Sequence, residues 1–475
     1  MPVTIAGLVI PDHVGACLKR ALACAAAADP ARALESIAAA AVSDIQQHQQ
    51  QFLGSAAACA LLGDIASQAL APALADSPWP GTPARPRARR LLFVVPSLTQ
   101  GQAASTNLVR LVHACDPALH QVRVIVAEEF TRRSSPGFLN FPDMPSPVHG
   151  AALLEQLATR AEVSVLPTTG TYLDAARLAI ALARDWAPDI AALVASPACP
   201  VQTAMCAARI APSQVVLSIG VPLLVKGVDA VLFNNTRRRA ADAPALDARA
   251  VRHDTVLTSG GDAAAGPATR PADRTALALP TGAVTLVSAA TRLADRLLAG
   301  GFAEDLARFL RTHQSLCWVG IGGGDLQRLS ALLTEHGVVD RTRLLGPLPD
   351  IRPAVKACDV YLNEYPEGGG NTVIEAMGCA VPVVAMDAGP RHAECIGSEL
   401  VGAERITTRD AYWHRVHTLC TSPQLRADEA QRQQTRALEQ LDYSVISQDC
   451  LRRVQALAAP CAEKDHPGPL QARQT

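Results

Sequence analysis

Short, uninterrupted apolar runs set at helix-length intervals are the feature that most limits the folds open to this chain. They pass through Leu91–Val95, Val122–Ala127, Val163–Leu166, Ile190–Ala195, Val215–Ile219 and Val228–Phe233. A second series follows at Val284–Ser288, Leu316–Ile321, Thr342–Leu345, Val360–Asn363 and Val381–Met386. A half-exposed strand would alternate apolar and polar residues. Continuous runs belong to strands buried on both faces, and helices between them make a parallel sheet covered on each side. Two series imply two doubly wound α/β units. Ligands of such open sheets sit beyond the carboxyl ends of the strands, so chemistry is expected in the loops that follow these runs.

The chain is 475 residues long, which leaves room for two such units and an appendage. Ala16 to Ala75 shows apolar positions at helical spacing, with breakers only around Asp29-Pro30, Gly54 and Gly63, and reads as a small helical domain. Ser77–Pro83, followed by the basic stretch Arg85–Arg90, reads as a linker. The stretch Ala240–Ala278, rich in Ala, Asp, Pro and Gly, interrupts the strand pattern and is expected to join the two units. Leu425–Leu457 is helical with one polar side, and is placed to cross back to the first unit.

Forty-three Lys and Arg against 44 Asp and Glu leave a formal net charge of −1. No global field therefore draws the chain to nucleic acid or an anionic membrane, and any anion must be held locally. Hydrophobic residues make up 49% of the sequence but aromatics only 4%, which suits alanine-rich helices packed closely on sheets. No signal peptide is apparent, and no uninterrupted apolar run reaches the length of a membrane span. The 13 cysteines are odd in number and form no Cys-x-x-Cys pair. Buried thiols in a reducing cytoplasm are the expectation, not a zinc site or a disulfide framework. The basic cluster Arg85–Arg90 has no interleaved aromatics and reads as solvated surface.

The most informative segment runs from Val360 to Gly378. Its order is strand, glycine loop, helix. Gly368, Gly369 and Gly370 remove every side chain just before Asn371 and Thr372 open the helix, so backbone N–H groups and the positive end of the helix dipole can approach an anion, a phosphate above all. Glu375 follows one turn later on the same cleft. A carboxylate beside a phosphate site is repulsive unless it serves another group, such as a sugar or ribose hydroxyl. The alternative is a flexible glycine turn with two solvated glutamates, Glu367 and Glu375.

Glu367 to Glu375 resembles the Glu-x7-Glu motif of the group 1 (family 4) glycosyltransferases, and the continuation Met377-Gly378-Cys379-Ala380-Val381-Pro382-Val383-Val384-Ala385 is similar to the signature that follows it there. The resemblance covers Thr285 to Pro390. It implies a GT-B fold of two facing Rossmann-like domains, here with a helical N-terminal domain (1–80). The acceptor domain would be 90–265, the nucleotide-sugar domain 275–440 and a C-terminal helix 441–460. It further implies that Glu375 contacts the donor ribose, that Glu367 lies near the donor sugar, and that the helix start between them holds the diphosphate. Arg292 stands where the family has an Arg; Arg296 comes four residues later, where the family's Lys falls five later. Two guanidinium groups there could clamp a diphosphate, or could be exposed helix-start residues paired with Asp295 or Glu304.

Gly322 and Gly323 resemble a further glycine turn of the family. Gly101, after the strand at Leu91, resembles the loop that approaches donor phosphate and acceptor, with Gln102 replacing a second glycine. Gly260-Gly261-Asp262 is similar to the interdomain segment. No catalytic histidine segment is found; His113 and His149 are expected to be structural. The implied activity is hexosyl transfer from a nucleotide diphosphate sugar to a protein or saccharide acceptor, with no cofactor and no metal, because cations and a helix start offset the leaving diphosphate. Retention at the anomeric carbon rests on the resemblance alone. Two alternatives stay open: a nucleotide-sugar 2-epimerase of the same fold, and a non-catalytic transferase-like partner subunit.

Overall fold

A computed structural model describes residues 3–47, 51–75, 89–99, 103–130, 150–218, 220–234, 236–256, 260–280, 282–366, 368–387, 397–402 and 405–458. A short antiparallel hairpin, β1 (Val3–Ile5) and β2 (Leu8–Ile10), precedes helices α1 (Asp12–Ala26), α2 (Pro30–Gln47) and α3 (Ala56–Leu74). The first of these helices starts at Asp12, earlier than the sequence suggests. Gly63 does not break α3. It lies inside the helix because a Cβ there would stand 1.7 Å from the Leu224 carbonyl oxygen, so its bareness lets α3 press on the next unit. By length and composition α3 could cross a membrane, but half of it is buried in the protein.

The first unit contains β3 (Arg89–Val95), α4 (Ala103–Ala114), β4 (His120–Val126), α5 (Ala151–Ala158), β5 (Glu162–Val165), α6 (Tyr172–Trp186), β6 (Ile190–Ala195), α7 (Pro200–Ala208), β7 (Ser213–Ser218), β8 (Ala230–Phe233), α8 (Thr236–Asp247) and β9 (Arg252–Thr255). The strands form one parallel sheet in the order β5-β4-β3-β6-β7-β8-β9. Here the expected linker needs correcting. Its first part is α8 and β9, the seventh strand of this sheet. Local composition was outweighed by tertiary contacts: Arg238 and Asp242 of α8 form a buried pair at 2.5 Å, and reach Leu53 O at 2.8 Å and Ala56 N at 3.1 Å in the helical domain.

The second unit contains β10 (Val284–Ala289), α9 (Leu293–Ala299), α10 (Phe302–Thr312), β11 (Leu316–Ile321), α11 (Leu326–Glu335), β12 (Thr342–Gly346), α12 (Arg352–Lys356), β13 (Val360–Leu362), α13 (Asn371–Gly378), β14 (Val383–Val384), α14 (Gly397–Val401), α15 (Arg409–Thr421) and α16 (Pro423–Arg436). Its parallel sheet has the order β12-β11-β10-β13-β14. Residues 260–280 pack on this unit: Ala263 lies in its core, and Arg274 bonds Ala283 O and Thr285 Oγ1.

A π-helical turn at Ala437–Leu441 ends α16, and after Asp442 the chain enters α17 (Tyr443–Ala458). Cys450, Leu451 and Val454 of α17 enter the core of the first unit, and a fully buried aliphatic side chain contributes about 1.5–3 kcal/mol. The crossing back is therefore a packed joint. The two connections run side by side, since Gly261 and Asp442 form a β-bridge and Tyr443 N donates to Gly261 O at 3.2 Å. The eleven described cysteines are all free.

Candidate active site

In the second sheet the strand order reverses between β10 and β13, which opens a crevice at their carboxyl ends. Arg292 ends the loop after β10 and Arg296 lies in α9, while Asn363 to Pro366 and Gly368 to Gly370 follow β13. Arg296 spans the crevice: its Nη1 lies 3.1 Å from Glu364 Oε1. Glu364 is fully buried, and burial pushes its carboxyl above the ordinary range while Arg296 opposes that rise. Its other oxygen, Oε2, has no hydrogen-bond partner among the described residues. Tyr361, beneath the crevice, donates to Ala289 O at 2.8 Å and meets Thr372 Oγ1 at 2.9 Å, tying the two loops together.

Helix α13 begins at Gly370, whose lack of a side chain leaves the helix without a side-chain cap. The amides of Asn371, Thr372 and Val373 consequently open the helix with no carbonyl of the same helix to serve them. That arrangement suits an anion. Gly369 N, by contrast, donates to the buried Asn363 Oδ1 at 2.8 Å, and Gly368 lies against the same side chain. These glycines shape the loop around Asn363 and leave the first helical turn to face a ligand. Burial pushes the Glu375 carboxyl up to about 7, with Arg352 opposing and Asp350 and Asp262 adding to the rise. Arg352 holds both of those aspartates, at 2.8 and 2.7 Å, so Asp262 of the interdomain segment is tied to α12.

Gly322 and Gly323, expected at the donor, are held by backbone hydrogen bonds. Their amides donate to Gly346 O at 2.9 Å and Thr291 O at 3.1 Å, so both hold loops together. Arg292 is about half exposed and donates to Asp295 Oδ2 at 2.9 Å, the pairing its helix-start alternative foresaw. Asp295 Oδ1 also accepts Asp325 N at 3.0 Å, which places that cluster beside β11. In this structure Arg296 pairs with Glu364 and Arg292 with Asp295. His113 bonds Gln156 O at 3.1 Å on an exposed face, a structural contact. Gly101, Gln102, His149 and Glu367 lie outside the described residues.

Three residues of this site went unread in the sequence. Asn363 and Glu364 sit at the end of an apolar run, where two polar residues just before a glycine loop are the available signal. Tyr443 gave none. It arrives from the crossing helix, and its hydroxyl accepts Asn371 Nδ2–H at 3.0 Å.

Residues 292–411 match the family model described as Glycosyl transferases group 1. The structure also resembles an O-GlcNAc transferase mutant from Thermobaculum terrenum, with a TM-score of 0.57 and 17% identity over 94% of this chain and 99% of that one. The fold is the GT-B fold of the glycosyltransferases. Anabaena HepE in complex with UDP and glucose shares this GT-B arrangement, with a TM-score of 0.55 and 18% identity over 78% of this chain and 100% of that one. So does sucrose-phosphate synthase from Thermosynechococcus elongatus, with a TM-score of 0.55 and 15% identity over 78% of this chain and 99% of that one. No curated protein matches the chain in sequence. The family match begins at Arg292 and contains the whole β13–α13 loop, so the GT-B assignment and the crevice coincide.

Proposed function

We propose that the protein is a hexosyltransferase that moves a sugar from a nucleoside diphosphate sugar to a hydroxyl of a protein or saccharide acceptor, with no resident metal. The observation that carries this reading is the uncapped start of α13 at the β10/β13 crevice, with Glu375 one turn behind it. Amides and helix dipole suit the diphosphate; a carboxylate suits hydroxyls. The match to the O-GlcNAc transferase supports sugar transfer. Residues 89–475 are 387 of 475, about 81% of the chain, so a match over 94% takes in part of the helical N-terminal domain.

Binding of UDP-glucose, the donor held by HepE in another of its structures, is the first test, run by calorimetry in the presence of a chelator. Affinity should rise as the pH goes from 6 to 8. Glu375 titrates near 7 in the free protein, and its ionised form is the better acceptor for a hydroxyl. The sign for stability is opposite. A carboxyl whose folded pKa is raised gives its full stability below the unfolded value and loses it as the pH climbs through the folded one. Glu375→Gln should abolish the pH dependence of binding and weaken it at pH 8 by about 1.5–3 kcal/mol. A parent that fails to bind any nucleotide sugar of a panel, or that binds only when metal is added, would overturn the reading. Epimer formation without acceptor would replace it with the epimerase.

A further inference from the structure

Tyr443 stands at the point where the chain passes from the second unit into the first. Its ring is nearly buried, lies under the Arg110 guanidinium of α4 at 5.1 Å, and fits so closely on Gly260 that a Cβ there would be 2.6 Å from Tyr443 Cδ1. Ring position is therefore fixed by both units. From this fixed place the hydroxyl reaches one group of the candidate site, the Asn371 amide at the first position of α13. With Nδ2 held by Tyr443, the Asn371 side chain has its rotamer set, and its Oδ1 is buried without a hydrogen-bond partner among the described residues. An orphaned acceptor is costly, and one next to a ligand site marks what the ligand supplies. Oδ1 accepts and cannot donate. Phosphate oxygens, ionised at neutral pH, offer it no hydrogen, whereas a hydroxyl does.

We infer that Tyr443 is a positioning residue for the donor site: it holds Asn371 so that Oδ1 accepts a hydrogen bond from a donor hydroxyl, on the ribose or the transferred sugar, while the neighbouring amides take the diphosphate. This rests on the function proposed above, and it gives Asn371 a hydroxyl to read instead of a phosphate. It also makes the site depend on the crossing helix, since Tyr443 belongs to α17.

The variant Tyr443→Phe removes the hydroxyl alone and keeps the ring under Arg110, so its melting temperature should match the parent's. Calorimetry with UDP and with UDP-glucose is then run on the parent, Tyr443→Phe, Asn371→Ala and the double variant. Tyr443→Phe should raise the Kd for UDP-glucose roughly two- to tenfold, and the double variant should bind no worse than Asn371→Ala, because the two residues act as one unit. A loss seen with both ligands assigns the hydroxyl to the ribose; a loss with UDP-glucose alone assigns it to the sugar. Unchanged binding by Tyr443→Phe, or additive losses in the double variant, overturns the inference and leaves the proposed function standing. A parent that binds neither ligand removes both for a uridine nucleotide donor.

Discussion

Gly322→Ala should destabilise the protein by roughly 2–6 kcal/mol, because left-handed backbone strain and overpacking each cost about 1–3 kcal/mol and here they add. Gly322 has a φ of +138°, and a Cβ would stand 1.8 Å from Ala290 O and 3.1 Å from Leu293 Cβ. Relief by shifting the loop is blocked from both sides. Gly322 N is bonded to Gly346 O, Gly323 N to Thr291 O and Ala294 N to Gly323 O, at 2.9, 3.1 and 3.0 Å. Gly323→Ala is the control: its Cβ would meet nothing nearer than 3.3 Å, and it should unfold close to the parent in urea. A Gly322→Ala variant that unfolds like the parent but loses nucleotide binding would restore the donor contact that the glycine cluster suggests in sequence.

That contrast shows what the sequence could carry. A glycine cluster after a strand serves either to bring a ligand to the backbone or to bring a second backbone close, and composition does not separate the two uses. At Gly368–Gly370 the following Asn371, Thr372 and Glu375 at helical spacing favoured a ligand, and the structure leaves the first turn of α13 uncapped. At Gly322 the deciding contacts come from Gly346 at the end of β12 and Ala290 just after β10. The apolar runs were legible because a strand buried on both faces cannot hide its composition. By the same logic β9 was hidden: its residues Arg252-His253-Asp254-Thr255 sit at the edge of the sheet and are only half-buried.

Helix α8 was hidden for another reason. Its Pro244 argues against a helix, yet it is held by contacts no local pattern encodes. Besides its buried pair with the helical domain, its first residue Thr236 donates N–H and hydroxyl to the Glu399 carboxylate of the second unit, at 3.2 and 2.7 Å. Arg237 next to it pairs with the buried Asp387, which also takes Arg405. A carboxylate from one unit thus caps a helix of the other. The start of α8 is an interdomain contact, and its sequence reads as a linker because its partners lie far along the chain.

Arg296→Ala is expected to cost about 2–3 kcal/mol at pH 8, somewhat below the usual loss for breaking a buried pair because Arg296 itself keeps 27% of its side chain exposed. The loss should shrink toward pH 5. Burial already raises the Glu364 carboxyl and Arg296 works against that, so removing the guanidinium raises it further. A carboxyl shifted this way keeps its contribution below the unfolded value and loses it as the pH climbs toward the folded one, so the deficit of the variant grows with pH. Urea unfolding at pH 5 and pH 8 checks the sign. Adding Glu364→Gln should return most of the stability, since an amide is buried at lower cost than an uncompensated charge. Turnover then separates two roles for the arginine. If Arg296 is there to neutralise Glu364, the double variant regains turnover together with stability, whereas Arg292→Ala, at an unchanged melting temperature, lowers turnover because its half-exposed guanidinium can swing from Asp295 to a leaving diphosphate. A double variant that is stable but slow would instead put Arg296 on the diphosphate, with Glu364 acting only to hold it in place until the donor arrives.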